Sequence, residues 1–463
     1  MTERPKLQVI RGEIVQDVEL EEPRPPEFSD ESLALRFAEI HQDDTRYVDL
    51  WGRWLLWDGH RWTPDETRRA FDFSREICRL ASSECESRAA PQIASAKTVA
   101  AIYRLAQSDR RLAATGDQWD ADTWLLNTPT GVIDLKTGNV RPASPLDYMT
   151  KITTVAPGGD CPRFMAFLDE VTGGDVSLRD FLQRMMGYSL TGSTQEHALF
   201  FFYGTGANGK SVFVNTVTGI LGDYHRIAPI ETFTASSVER HPTELASLQG
   251  RRVVSAIETE EGRRWAESRI KALTGGDKIA ARFMRQDFFE FTPQFKLIIA
   301  GNHKPGLRTV DEAIRRRFHL VPFATTIAPD DRDPNLTEKL IQEWPGILSW
   351  MIDGALWWQE VGLAPPEVVT NATKAYLEAE DALTAWLDEC CDRADPNAWE
   401  KTGALFASWR SWAERAGEPP GSMKRFNQNL ETRGIVYERR KHGRGFLGIK
   451  LELPAEQDNW WDR

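Results

Sequence analysis

Gly204, Thr205, Gly206, Ala207, Asn208, Gly209, Lys210 and Ser211 follow the spacing G-x-x-x-x-G-K-S/T. Each residue type has a task on a phosphate chain. Glycines let backbone N–H groups wrap the anion, the lysine neutralises β and γ oxygens, and the serine hydroxyl can ligate Mg2+. A plain glycine-rich turn is the competing reading. The run 198–203 just before the motif is apolar, as in a strand of a parallel sheet buried on both faces. A buried strand that feeds such a loop favours nucleoside triphosphate chemistry, with ATP and Mg2+ as the expected ligands.

Such chemistry needs a carboxylate at the end of a neighbouring strand, to hold the metal and polarise the attacking water. Residues 252–257 read as that strand and run into Glu258, Thr259, Glu260 and Glu261. Glu258 is the expected metal-side carboxylate, together with Ser211. Glu260 is the candidate water activator, with Glu261 and a solvated strand end as alternatives. The next strand, residues 296–300, ends in Gly301-Asn302. Asn302 can sense the γ-phosphate or its attacking water, or simply form a turn. Arg315, Arg316 and Arg317 precede the apolar segment 320–323. Arg316 and Arg317 suit transition-state stabilisation across a subunit boundary, and a solvated basic face is the other reading.

A chain of 463 residues exceeds the roughly 250–300 residues of a single core and predicts two to four domains. Hydrophobic residues at 41% and charged residues at 27% exclude a disordered or membrane chain. Fifty-seven basic against 69 acidic side chains leave a net charge of −12, so contact with nucleic acid must be confined to local basic patches. Cys78, Cys85, Cys161, Cys390 and Cys391 contain no C-x-x-C and read as reduced thiols. Neither a signal segment nor a membrane-spanning run is visible, and a cytoplasmic protein, in a bacterial host, is expected.

Along the chain, residues 1–30 read as a proline-containing acidic leader, with structure beginning near Ser29. Residues 31–160 form an N-terminal α+β region, mainly helical, with a tryptophan-rich hairpin over Trp51–Trp62 that turns at Asp58-Gly59. Short strands are predicted around Thr128-Pro129. Phe164, Phe167, Leu168 and Val171, then Phe181, Leu182 and Met185, predict two helices of a collar, 161–197. The ATPase core spans 161–330, a helical connector 331–380, a C-terminal module 381–453 and a tail 454–463. Within the core, Ile279, Ala281 and Phe283 alternate with polar residues, as do Phe289 and Phe291, which predicts a hairpin.

In the C-terminal module, helical segments followed by two strand-like pieces around Arg439-Arg440-Lys441-His442-Gly443-Arg444 read as a winged helix-turn-helix. From Ser422 to Leu451 there are eight basic side chains against two acidic, the footprint of phosphate binding. Arg439, Arg440, Lys441 and Arg444 are the expected duplex contacts. A basic hairpin docked on an acidic neighbour is the alternative.

Together the motifs resemble superfamily 3 helicases, most closely the phage/plasmid primase-helicase family with its poxvirus-type N-terminal region. The carriers are G-T-G-A-N-G-K-S, K-A-L-T-G-G-D-K-I-A-A-R from Lys271, F-K-L-I-I-A-G-N-H-K-P from Phe295 and R-R-R-F-H-L-V-P-F from Arg315. N-T-P-T-G-V-I-D-L-K-T-G from Asn127 and G-Y-S-L-T-G from Gly187 are similar to that N-terminal region. The resemblance implies an α/β AAA+ core and an ATP-driven, ring-forming, 3′-to-5′ DNA helicase, with a hexamer favoured, that replicates phage, plasmid or integrated-element DNA. It also implies that the hairpin lines the DNA channel, putting Lys271, Lys278, Arg282 and Arg285 forward as contacts. Family members often carry a primase-polymerase or toprim domain where this chain has its acidic leader, so priming by this chain is not expected and a separate primase is a candidate partner. Their metal-site strand commonly ends in an acidic pair, which Thr259 interrupts here. Single-stranded and duplex DNA are the expected partners. An ATP-regulated origin-binding or loading protein that does not unwind, and a complete primase-helicase, are the rival readings.

Overall fold

The computed structural model describes residues 25–85, 88–235, 243–258, 263–284, 287–307, 310–380, 382–418, 420–440 and 443–452. The leader expected at 1–30 lies mostly outside these residues, as does the tail after 453. The chain forms two compact units, one reaching to Gln118 and one from Trp119 onward that also takes Gly59–Arg61.

In the first unit, the Ser29 hydroxyl accepts the Ser32 N–H at 3.2 Å and caps α1, Asp30–His41. Asp30 and Glu31 in the first turn favour the positive end of the helix. Strands β1 (Thr45–Val48), β2 (Arg53–Trp57) and β3 (Trp62–Pro64) follow as an antiparallel sheet. The hairpin expected at Trp51–Trp62 is β2 and β3. Helices α2 (Arg69–Glu84), α3 (Ala90–Ile93) and α4 (Ala96–Ala106) complete the unit. Phe37, Trp54, Ile77 and Ile102 are buried together, so here the tryptophan density builds a core.

The second unit opens with a three-stranded sheet, β4 (Leu125–Thr128), β5 (Gly131–Asp134) and β6 (Asn139–Arg141). Leu126, Ile133 and Leu135 enter the same core as the helices over residues 162–190. Residues 119–160, which the sequence groups with the N-terminal region, therefore pack with the residues from 161 onward instead. Buried Arg252 holds them there. The Arg252 guanidinium donates to the carbonyls of Leu190 at 2.6 Å, Leu125 and Thr123 at 2.9 Å and Asp122 at 3.2 Å. Lys296 donates to the carbonyls of Thr191 and of Ser193.

Helices α5 (Pro162–Thr172) and α6 (Val176–Leu190) lead into a five-stranded parallel sheet. Its strands are β7 (Leu199–Tyr203), β8 (His225–Ile227), β9 (Val253–Glu258), β12 (Lys296–Gly301) and β13 (Phe318–Pro322). The order across the sheet is β13-β7-β12-β9-β8. Side chains alternate between the two faces of each strand. Phe200, Phe202, Ile298 and Val321 join one buried cluster, while Leu199, Phe201, Ile299 and Leu320 join another on the opposite face. Both faces are covered, as continuous apolar runs require.

Between these strands lie α7 (Lys210–Leu221), the short α8 (Thr243–Ala246), α9 (Glu267–Gly275), the hairpin β10 (Ile279–Ala281) with β11 (Phe289–Phe291), and α10 (Glu312–Arg315). Helices α11 (Leu336–Gln342), α12 (Trp344–Val361) and α13 (Glu367–Ala379) come next. The sequence reads them as a connector, yet two of them are layers of the domain. Ile347, Met351 and Trp358 of α12 are core residues, and the Thr373 hydroxyl of α13 accepts the Leu320 N–H at 2.9 Å.

The C-terminal module comprises α14 (Ala382–Cys390), β14 (Cys391–Asp392), β15 (Trp399–Lys401), α15 (Thr402–Arg415), α16 (Met423–Thr432), β16 (Val436–Arg440), β17 (Gly443–Leu447) and β18 (Lys450–Leu451). Trp386, Leu405, Phe426, Leu430 and Phe446 form its core. The five cysteines are free thiols. No described helix is long and apolar enough to cross a membrane.

Helices α6 and α12 meet backbone to backbone. A Cβ on Gly187 would overlap the Ala355 nitrogen and the Gly354 carbonyl carbon. Backbone cannot move aside like a side-chain tip, so Gly187→Ala is expected to cost at least about 3 kcal/mol, read as a lowered midpoint in denaturant unfolding of the full chain.

Candidate functional site

All strands of a parallel sheet that are joined by crossovers end on one edge, and here that edge gathers the polar residues. In register, Gly301 at the end of β12 pairs with Tyr203 of β7 on one side and with Glu258 of β9 on the other. The phosphate-type loop after β7, the strand end bearing Asn302 and the strand end bearing Glu258 are therefore level neighbours. This alignment is a product of the apolar runs that made the strands.

The loop 204–209 is wrapped tightly. Gly209 sits at φ +78°, and a Cβ there would run into Val171 and the Phe167 ring of α5. Helix α5 thus backs the start of α7, and only glycine meets both demands. The Asn208 amide donates to the Phe323 carbonyl at 2.9 Å, and the Ile327 N–H donates to the Ala207 carbonyl at 2.9 Å. Segment 323–327 forms the second wall.

Lys210 opens α7 and is buried. Its ammonium donates to the Gly204 carbonyl at 2.8 Å, to Asn208 Oδ1 at 3.1 Å and to Asn302 Oδ1 at 3.2 Å. Burial holds its pKa below the ordinary lysine range. A cation in such a place gains from an anion beside it. Ser211, in the first turn, is exposed, so its hydroxyl is available to a metal carried in with phosphate oxygens. Among the described residues, no group of three or more His, Cys, Asp or Glu could hold a metal by itself. A divalent ion arriving with a phosphate chain would bring oxygen ligands of its own to the Ser211 hydroxyl.

Beside the loop lies a cavity of about 300 Å3. Phe167, Val212, Ile327 and Leu336 give it apolar walls, and Arg163 and Asp333 stand among its polar residues, 3.7 Å apart. Glu170, Asp331 and Arg332 line it as well, so an apolar wall faces a charged one beside the phosphate-type loop. The sequence reads Phe164, Phe167, Leu168 and Val171 as one helix face, but nothing in their spacing tells that they back Gly209. Phe323 and Ile327 carry no signal, because they act through their main chains.

The three arginines separate in space. Arg317 is buried, with Nε donating to the Thr274 hydroxyl at 3.0 Å and a terminal nitrogen to the Ala313 carbonyl at 2.7 Å. Its guanidinium is thus engaged within its own chain. Arg316, at the C-cap of α10, is exposed. Glu260, Arg285 and Lys441 lie outside the described residues.

At the β10–β11 hairpin, Lys278 is exposed, and the Arg282 guanidinium lies 4.8 Å from the centre of the exposed Phe288 ring. Lys271 is instead ion-paired with Asp311. In the C-terminal module, β15, β17 and β16 form one sheet, with α15 and α16 preceding the β16–β17 hairpin. Arg439 and Arg444 are direct cross-strand partners, and both are exposed. Arg440 pairs with Glu438 at 2.8 Å and lies over Trp399. Like charges facing each other across a hairpin destabilise it, and a polyanion would relieve that repulsion.

Two family models match the chain: D5 N terminal like over residues 34–173, and a family of unknown function, DUF5906, over residues 202–317. Helicase-named viral proteins are similar. L207/L206 of Acanthamoeba polyphaga mimivirus is 26% identical over 322 residues, covering 63% of this chain and 33% of its own. Protein 022R of Frog virus 3 is 27% identical over 302 residues, covering 58% of this chain and 29% of its own. The chain thus spans about a third or less of the length of these relatives. The solved apo structure of the NrS-1 C terminal region, residues 305–718, superposes with a TM-score of 0.51 at 10% identity, over 90% of this chain and 100% of that one. At that identity the likeness speaks to fold alone.

Asn208 holds both the buried lysine and the second wall, whereas Asn302 is exposed. Asn208→Ala is expected to cost roughly 2 kcal/mol in denaturant unfolding, and Asn302→Ala under about 1 kcal/mol. Equal losses would mean that the two amides do not differ in this way.

Proposed function

We propose that this chain, which belongs to the phage and viral primase-helicase family, is an ATP-dependent DNA helicase that works as a homo-oligomeric ring, with a hexamer favoured. It serves the replication of phage, plasmid or integrated-element DNA. The observation that carries this reading is the meeting of Lys210 with Asn302 on a sheet edge that also bears Glu258. Loop 204–209 and Lys210 would take the phosphates of ATP, and the cavity beside them its base and ribose. Ser211 and Glu258 would hold Mg2+, which when bound neutralises charge on the phosphate oxygens. Asn302 would orient the γ-phosphate or its attacking water, and Glu260 remains the proposed activator of that water.

Arg316 is the proposed finger in trans, because it is the exposed candidate of the pair while Arg317 is engaged in cis. Lys278 and Arg282 of the hairpin, with Arg285, would grip single-stranded DNA by its backbone, as a sequence-indifferent motor requires. The C-terminal module reads as a winged helix, with α16 before the wing β16–β17, and duplex phosphates would lie against Arg439, Arg440 and Arg444, with Lys441 beside them.

Strand displacement from forked DNA with ATP tests the whole reading, and duplex binding without displacement would turn it toward a loader. Lys210→Ala and Arg316→Ala chains are each expected to lack turnover, for different halves of one interface site. Mixed, they should regain part of it, because one interface then joins intact Lys210 to intact Arg316. Confirmed mixed oligomers without turnover would sink the trans arginine.

For the wing, Arg439→Ala combined with Arg444→Ala should weaken duplex binding on every sequence. The salt slope should fall by about 0.9 for each phosphate that the variant no longer neutralises. Thermal stability should hold or rise, since the variant removes facing like charges. An unchanged slope would make the wing a protein-docking surface.

A further inference from the structure

The segment after the Asn302 strand is unusually well tied. Pro305 carbonyl accepts from the Tyr376 hydroxyl of α13, which itself accepts the Trp265 indole N–H at 2.9 Å. Gly306 exchanges main-chain bonds with Arg263 and Trp265. Leu307 N–H donates to the Glu380 carboxylate at 2.9 Å. Lys304 places its ammonium 4.1 Å from the centre of the Tyr203 ring, at the end of β7. From the neighbouring backbone, Arg264 reaches across to Glu418 at 2.9 Å and to the Gly417 carbonyl at 3.4 Å, in the turn between α15 and α16. Burial, then the nearby Glu418 charge, holds the Glu380 carboxyl above its ordinary range, so one charged cluster joins the strand end to the C-terminal module.

At the other end of this segment is Lys210. An ammonium has three protons to donate, and the three acceptors around this one are Gly204 O, Asn208 Oδ1 and Asn302 Oδ1. A phosphate oxygen arriving at the loop must displace one of them. Gly204 O is fixed main chain and Asn208 is pinned on Phe323, so the exposed Asn302 is the acceptor that yields. Its amide then has two arrangements, one on the lysine and one released, and the tethers on residues 305–307 leave little slack to absorb the difference.

We propose that residues 302–307 couple occupancy of the phosphate loop to the C-terminal module, with Tyr376 and Glu380 as positioning residues and the Arg264–Glu418 ion pair as the joint. This rests on the nucleotide reading above. By linkage, duplex bound at the module changes nucleotide affinity by the same factor that nucleotide changes duplex affinity.

Hydrogen exchange of the full chain, with and without AMP-PNP and Mg2+, tests the coupling without DNA. In the wild type, protection is expected at residues 204–212, with altered exchange both at 302–307 and at 413–418 and 423–430, by roughly two-fold or more. In Arg264→Ala the first two responses persist and the response of the module is lost. Glu418→Gln, on the other side of the joint and in an exposed turn, should behave the same way and guards against a folding defect in the first variant. Protection at 204–212 with a silent module in the wild type overturns the proposal. So does a module that responds equally in both variants. No protection at 204–212 would sink the nucleotide reading itself, and the coupling with it.

Discussion

A parallel sheet covered on both faces leaves its crossovers only the strand ends as places to meet, and the candidate site depends on that constraint. Tyr203, Gly301 and Glu258 end level because β7, β12 and β9 pair in register. The side chains beyond those ends inherit the alignment. Lys210 and Asn302 meet across 92 positions of sequence without any local signal linking them. The apolar alternation that sends Phe200 to one face and Phe201 to the other is therefore also what brings the polar residues together.

The same sheet is fastened at its opposite edge by charge as well as by apolar contact. Arg252 and Lys296 stand at the entry to β9 and β12, and both are almost fully buried. Burial lowers the pKa of each. Their hydrogen bonds run to main-chain carbonyls. Burying a cation is costly unless its donors are met, so these residues specify where segment 122–125 and the end of α6 must lie. Any other docking would strand the charge. The edge that holds the chemistry and the edge that holds the N-terminal segment of this unit are thus separated by the length of the strands.

The C-terminal module meets the segment after β9 through the Arg264–Glu418 ion pair and has a separate aromatic core. A module with its own core can change its placement without unfolding. Its hairpin carries Arg439 opposite Arg444, a local cost that a bound anion would offset. In a chain of net charge −12, that concentration of positive charge stands out against its surroundings and would draw a polyanion to one place.

Much of the candidate site was legible from local pattern. The glycine-lysine-serine spacing, the apolar strands before Gly204, Glu258 and Asn302, and the hairpin at 279–291 are all features of neighbouring residues, and local features survive in a one-dimensional reading. What required the tertiary structure lies in contacts between distant segments. Phe167 and Val171 back Gly209, Phe323 receives Asn208, and α12 and α13 prove to be layers of the domain. The three consecutive arginines show the division most clearly. Their sequence marks them as equivalent, but Arg317 turns inward to Thr274 while Arg316 faces out, because the chain there passes from a helical turn into a buried strand. Residue types and spacing determined which chemistry the chain is equipped for; which side chain is free to perform it was decided by packing, since exposure is a property of neighbours that the sequence does not place side by side.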